Sequence, residues 1–340
     1  MTRWFLFLVA LACLSPGHVA AEAIEVSGED FVVRKFVPEL DGTWIGEGIS
    51  YGPYREGQGP GGEQPTDEQL IEDLELIAEH WNLIRIYGSR GFTERVLRII
   101  RERKLPLKVM LGAWITRELE GEGQGSVNQE ALRANREEVS ELIRLTNAYP
   151  DVVIAASVGN ETQVYWSAHK ARIELLINYL REVRSATEVP VTTADDFNFW
   201  NKPESKAVAA EVDFIVLHVH ALWAGNLLKD AMAWTERIYD EICEHHPEKL
   251  VVIGEAGWAT RVHTEGEQAQ LIKGKAGEKE QAIYYQQFKD WTQKEKVCTF
   301  FFEAFDEPWK GGPHPNEVEK HWGLFKVDRQ PKEAMKSFVK

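Results

Sequence analysis

Eight short apolar runs recur along the chain, each followed by a turn and a helix-length amphipathic stretch, and this alternation limits the fold more than any other feature. The runs cover 44–51, 83–87, 107–114, 152–158, 189–194, 212–220, 250–255 and 299–305. Helical patterns fill the intervals at 67–80, 93–104, 128–148, 167–187, 227–245 and 278–294, with a shorter one near 203–210. Thr66 followed by Gln69 has the spacing of a capping box and marks the start of the first helix. Strands that alternate with helices pair in parallel, and eight of them within 340 residues predict one closed (β/α)8 TIM barrel over 24–340. The rival, an open doubly wound sheet, needs no eighth strand and often carries a Gly-rich phosphate turn, which is not found after the first strand. Gly/Pro-rich 52–65 reads as a loop over one mouth of the barrel.

A barrel of this kind places its active site at the C-terminal ends of its strands. Those ends are polar in six of the eight runs: Arg85-Ile-Tyr87, Gly159-Asn160-Glu161, Thr192-Thr193-Ala-Asp195-Asp196, His218-Val-His220, Glu255, and Glu303-Ala-Phe-Asp306-Glu307. The period of two along a strand predicts which side chains share a face. Leu83, Arg85 and Tyr87 oppose Ile84 and Ile86, and Phe214, Val216, His218 and His220 oppose Ile215, Leu217 and Val219. On the seventh strand the same rule puts Val251, Ile253 and Glu255 together, facing the barrel interior.

Glu161 and Glu255 end the fourth and seventh strands, which lie across the barrel from each other. Two carboxyl groups flanking a cleft can break a glycosidic bond, one as acid and the other as nucleophile or base; spacing alone does not say which is which. The bland alternative is an ion-paired carboxylate, with Arg85 as an available partner. Aromatic residues crowd the same ends: Tyr51, Tyr54, Tyr87, Trp114, Trp166, Trp200, Trp223, Trp258 and Trp309. Sugars stack on such rings while their hydroxyls bond to neighbouring polar groups, although part of this set must serve the core. His218 and His220 could ligate a metal, but no third ligand stands at a fixed spacing, so hydrogen bonding to a sugar or to Glu255 is expected and no metal or cofactor.

The net charge of −15, with no basic tract, excludes nucleic acid and anionic membrane surfaces as natural partners. Arg3, the apolar run 4–12 and the small residues Ala20, Ala21 and Ala23 form a secretory signal over 1–23, so an extracellular or periplasmic protein is expected. Cys13 gives a weaker match to a lipoprotein cleavage site, which would tether the chain. Cys243 and Cys298 remain after cleavage, and separate buried thiols are the simpler expectation.

The stretches GISYGPY (48–54), IRIYG (84–88), SVGNET (157–162), PVTTAD (190–195), GEAGW (254–258), FFFEAFDEPWK (300–310) and HWGLF (321–325) together resemble glycoside hydrolase family 17, the last long one more its bacterial than its plant members. The resemblance implies that Glu161 is the general acid/base, protonated on arrival, and Glu255 the nucleophile. Asn160 would hold the 2-hydroxyl of the sugar being cleaved, and Arg85 would orient and ionise Glu255. Tyr87, Glu303 and Trp309 fit sugar contacts, and Tyr51, Asp195, His218, His220, Trp223 and Trp258 complete the expected binding set. The sixth strand departs from the pattern, since many members carry His-Pro where this chain has His218-Val-His220, which leaves endo and exo action both open. The implied activity is retaining hydrolysis of β-1,3-glucan by a monomer. A β-1,3-glucanosyltransferase using the same residues is the alternative, and a non-catalytic glucan-binding barrel a third.

Overall fold

Strands form where β-branched and apolar residues run together, and helices form where the apolar period lengthens to 3.6. A computed structural model describes residues 31–119 and 125–336, so the expected leader over 1–23, with Cys13, lies outside the described residues. Eight parallel strands close in chain order: β3 (Glu47–Ser50), β4 (Leu83–Ile86), β5 (Lys108–Ala113), β6 (Val153–Asn160), β7 (Val191–Asp196), β8 (Ile215–His218), β9 (Val251–Ala256) and β10 (Thr299–Phe301). β10 pairs with both β9 and β3, which completes the TIM barrel. The surrounding helices are α1 (Asp67–Ala78), α2 (Thr93–Glu102), α3 (Gln129–Ala148), α4 (Ile173–Ala186), α5 (Phe197–Trp200), α6 (Ser205–Ala209), α7 (Leu228–His245), α8 (Gly266–Leu271), α9 (Glu278–Glu295) and α10 (Glu333–Lys336). Thr66 caps α1 through the expected reciprocal box with Gln69, a cap that contributes roughly 1 kcal/mol.

Two strands precede the barrel, β1 (Glu39–Leu40) and β2 (Thr43–Trp44), paired antiparallel through an Asp41-Gly42 turn with both residues at positive φ. They are too short for any periodicity to reveal. Phe36, just upstream, stacks on Phe214 at 4.5 Å between ring centroids and joins Leu83, Met110, Ala155, Val216, Val252 and Phe300 in the core. A ring buried there contributes about 2 kcal/mol by the area it removes from water. A second, larger core lies between the barrel and its helices.

The partition between these cores tests the expected faces. Leu83, Phe214 and Val216 belong to the first, and Ile84, Ile86, Ile215, Leu217 and Val219 to the second, as the period of two requires. On β9 the expectation fails. Val252 is in the first core, whereas Val251 and Ile253 face the helices. The reason is a bulge: Leu217 on β8 pairs with Ile253 and His218 with Glu255, so Gly254 is an extra residue. A Cβ at Gly254 would stand 2.2 Å from Val216 and 2.9 Å from Arg85, so this inward-facing residue has no room for a side chain. The bulge then brings Glu255 to the inner face as well. β6 is irregular in the same way, with Ser157 paired to Thr192 but Asn160 to Ala194, and Gly159 between them has φ +80°.

Candidate active site

Both bulged strands deliver a glutamate to the same point. The side-chain oxygens of Glu161 and Glu255 and a ring nitrogen of His218 all lie within 4.8 Å of one another. Glu161 follows β6 directly, has φ +50°, and donates its backbone N–H to Ala194 O at 2.8 Å. Glu255 is 6% exposed, while the Glu161 side chain is about a quarter exposed, so one carboxyl is enclosed and the other faces the opening.

Arg85 organises the floor. Its Nη1 reaches Glu255 Oε1 at 3.2 Å, Gly254 O at 2.9 Å and His218 Nε2 at 2.9 Å, and its Nη2 donates to Asn160 Oδ1 at 2.6 Å. The Tyr87 ring lies against the guanidinium, 4.4 Å from its centroid. His218 bridges the two acids, with Nδ1 at 2.9 Å from Glu161 Oε1 and Nε2 at 3.4 Å from Glu255 Oε1. His220 Nε2 meets the other Glu255 oxygen at 3.0 Å. Burial opposes ionisation of Glu255, but His218, the His220 hydrogen bond and the Arg85 guanidinium together outweigh it and hold the carboxyl well below its ordinary range. Burial likewise opposes charge on His220, yet its bond to Glu255 raises it above an ordinary imidazole. Among the described residues Glu161, His218 and Glu255 are also a donor set that could hold a cation, although Arg85 already supplies positive charge at 3.2 Å from Glu255.

A second polar group lies beyond β10. Lys310 sits 2.5 Å from Glu303 and 2.7 Å from Glu307, and the Trp309 indole donates to Glu307 at 3.0 Å. Burial pushes the Glu303 carboxyl well up, Lys310 opposing and Glu307 adding to the rise. Trp309 is 42% exposed and meets Tyr54 edge-on. Trp223 donates its indole N–H to Glu319 at 2.9 Å. The strand-end pattern marks neither Lys310 nor Glu319: Lys310 ends the FDEPWK stretch, and Glu319 lies in a segment with no strand end beside it.

Three residues expected at the sugar lie elsewhere. Tyr51 is buried between barrel and helices, edge-on to Phe92 and Phe305, and its hydroxyl donates to Asp73 at 3.2 Å. Trp258 is fully buried against Tyr284 and donates its indole N–H to Lys275 O at 3.0 Å. Asp195 is buried and accepts hydrogen bonds from the amides of Gln163, Val164 and Asp196, at 2.7, 3.2 and 2.9 Å. The common cause is that a strand end carries residues to both faces, and only half of them reach the mouth. Trp200 is core as well, since it lies on α5 with its indole donating to Val216 O. Trp114 and Trp166 remain exposed, the former 4.7 Å from the His169 ring. Beside Glu161, burial and then the charge of that glutamate raise Asp196 to about 7.

Two free thiols, Cys243 and the buried Cys298, agree with the unpaired reading. No helix among the described residues is long and apolar enough to cross a membrane.

Comparisons with known proteins place this chain in a family. The chain is 28% identical over 295 residues to a protein of Arthroderma benhamiae named glucan 1,3-beta-glucosidase, covering 80% of this chain and 86% of that one. It is 28% identical over 297 residues to the probable glucan endo-1,3-beta-glucosidase btgC of Aspergillus clavatus, and there it spans 40% of the relative's length. The structure of an endo-laminarinase from Formosa Hel1_33_131 superposes with a TM-score of 0.74 at 24% identity, over 87% of this chain and 88% of that chain, a likeness of fold. The model of the BtgE/BtgC glycoside hydrolase domain matches residues 48–323, from the first barrel strand to the loop beyond the last, and the chain belongs to that family.

Proposed function

We propose that this protein is an exported, retaining β-1,3-glucan hydrolase of glycoside hydrolase family 17, bacterial in type, working by double displacement. The observation that carries the reading is the separation of the two carboxyl groups, whose oxygens approach within 4.8 Å. Retaining enzymes hold their pair about 5–5.5 Å apart, whereas inverting enzymes leave about 6.5–9.5 Å for a water. Glu255, enclosed and kept ionised by Arg85 and its histidines, suits attack on the anomeric carbon. Glu161, at the open side, suits delivery of a proton to the departing sugar oxygen and later removal of one from water. Electron flow balances within that pair: the glycosidic C–O bond breaks as the Glu255–C1 bond forms, and water then returns the carboxylate and a β-configured product. Asn160, held by Arg85, suits contact with the 2-hydroxyl, and His220, Trp223, Glu303 and Trp309 are its expected companions at the sugar.

The relatives' names support β-1,3-linked glucan as the substrate, and the segment 1–23 supports export. Incubation with laminari-oligosaccharides, followed by proton NMR of the first-formed anomer and chain-length analysis, tests the reading. A β product shorter than the substrate is expected. An α product would refute the mechanism, and products longer than the substrate would make the protein a glucanosyltransferase.

A further inference from the structure

We propose that Asp195 is a positioning residue for the general acid/base, and that its carboxyl holds the turn that presents Glu161 to the leaving-group oxygen. The proposal rests on the reading of Glu161 as that acid. Glu161 occupies the left-handed region at φ +50°, which L residues other than Gly, Asn and Asp seldom take, and it follows Gly159 at φ +80°. A conformation of this kind persists only where its surroundings hold it. One anchor precedes the turn: the Glu161 N–H donates to Ala194 O on β7. The second comes from the next residue of the same strand. Asp195 Oδ2 accepts the N–H of Gln163 at 2.7 Å, and Oδ1 accepts that of Val164 at 3.2 Å. Two consecutive amides, two and three residues beyond Glu161, thus converge on one carboxyl.

The same carboxyl accepts the N–H of Asp196 at 2.9 Å, which fixes its own orientation. Asp195 is fully buried, so its oxygens are committed to the turn rather than to a sugar. A farther tie, Ala171 N–H to Thr162 O at 2.9 Å, closes the loop. Glu161 is partly exposed and could adopt other directions if the turn relaxed, and a misplaced acid loses rate steeply. Asp195→Asn keeps the volume but exchanges one acceptor for an N–H donor, which must then face a backbone N–H.

The test separates acid catalysis from general loss of structure. Laminari-oligosaccharides leave as poor alcohols and need a proton, whereas a 2,4-dinitrophenyl β-glucoside leaves without one. Rates are measured per active site, titrated with a 2-deoxy-2-fluoro-glucoside carrying the same leaving group, which needs Glu255 but no acid. For Asp195→Asn the expected result is a fall of about 100-fold or more in oligosaccharide turnover. The first-turnover burst of dinitrophenolate should stay within about threefold of wild type. Equal losses on both substrates, or none on either, would overturn the proposal. Glu161→Ala run in parallel should show the same selectivity more strongly. If it does not, the assignment of Glu161 falls and the proposal with it; if it does while Asp195→Asn lacks selectivity, the proposal alone falls. Asp195→Ser, which retains a single acceptor, is read by the same ratio should the Asn variant yield no titratable sites.

Discussion

Replacing Arg85 by Met removes a guanidinium that touches Glu255, His218 and Asn160, the support of the proposed catalytic pair. The residue is 2% exposed and bonds to Glu255, Gly254 O, His218 and Asn160. At the observed 3.2 Å, and with an effective dielectric of about 20, the Arg85–Glu255 attraction is about 5 kcal/mol. At 1.36 kcal/mol per unit that would lift the Glu255 pKa by at most about 4 units. His218 and His220 still hold the carboxyl, and water entering the vacated space screens part of the loss, so a rise of about 2 units is expected. As the proposed nucleophile Glu255 would attack only when ionised, so the acid limb of kcat/KM, low in wild type because the folded pKa is depressed, should move to higher pH by that amount. Stability follows the same sign. A depressed carboxyl adds stability that is present above its unfolded value near 4.3 and lost as pH falls through its folded value. Arg85→Met should therefore cost about 3–5 kcal/mol in urea unfolding at pH 7, the usual result of stranding a buried charge, and the difference should shrink on acidification. A pH profile lowered uniformly, with its acid limb unmoved, would show that Arg85 braces the site without setting the charge of Glu255.

Three further outcomes follow from the geometry. Glu161→Gln should reduce oligosaccharide turnover by about 10²–10⁴, and Glu255→Gln more, measured by reducing-sugar release; retention of turnover by either would remove the site assignment. Gly254→Ala should place its methyl against Val216 and the Arg85 guanidinium, destabilising the fold by about 1–3 kcal/mol in urea and moving Arg85 off Glu255, so an active variant of wild-type stability would contradict the bulge. Arg329→Met breaks a buried pair in which Arg329 bonds both oxygens of Asp73 at 2.7 and 2.6 Å; stability in urea should fall by about 3 kcal/mol, and an unchanged midpoint would contradict the weight given to that pair.

Much of this was legible in the residue pattern, and the failures share a cause. The barrel follows from alternation, a property summed over many residues and insensitive to any one of them. The cleft follows from polar groups at strand ends, since such groups have nowhere else to go in a barrel with both strand faces buried. Arg85, Asn160, His218 and His220 beside the glutamates were readable for that reason. What parity could not deliver is the direction of a side chain past an irregularity. Val251 and Ile253 were expected inside and face the helices, because Gly254 adds a residue that no alternation rule counts. Trp258 and Tyr51 are expected at the sugar because they stand at strand ends, while the structure gives their polar tips partners in Lys275 O and Asp73. The bridging position of His218 needed coordinates, since it depends on three strands meeting at one depth.

The paired bulges also bear on how this chain can be compared with distant relatives. An extra residue sits on β6 before Glu161 and on β9 before Glu255, while the register between β3 and β4 and between β4 and β5 runs without a shift. Moving a gap by one position within GEAGW barely alters the count of identical residues. In three dimensions it exchanges the cleft for the helix layer. Homology models and ancestral reconstructions of such barrels therefore inherit the surroundings of these glutamates from single-residue decisions, and the glycines 159 and 254 are anchors on which those decisions should be pinned.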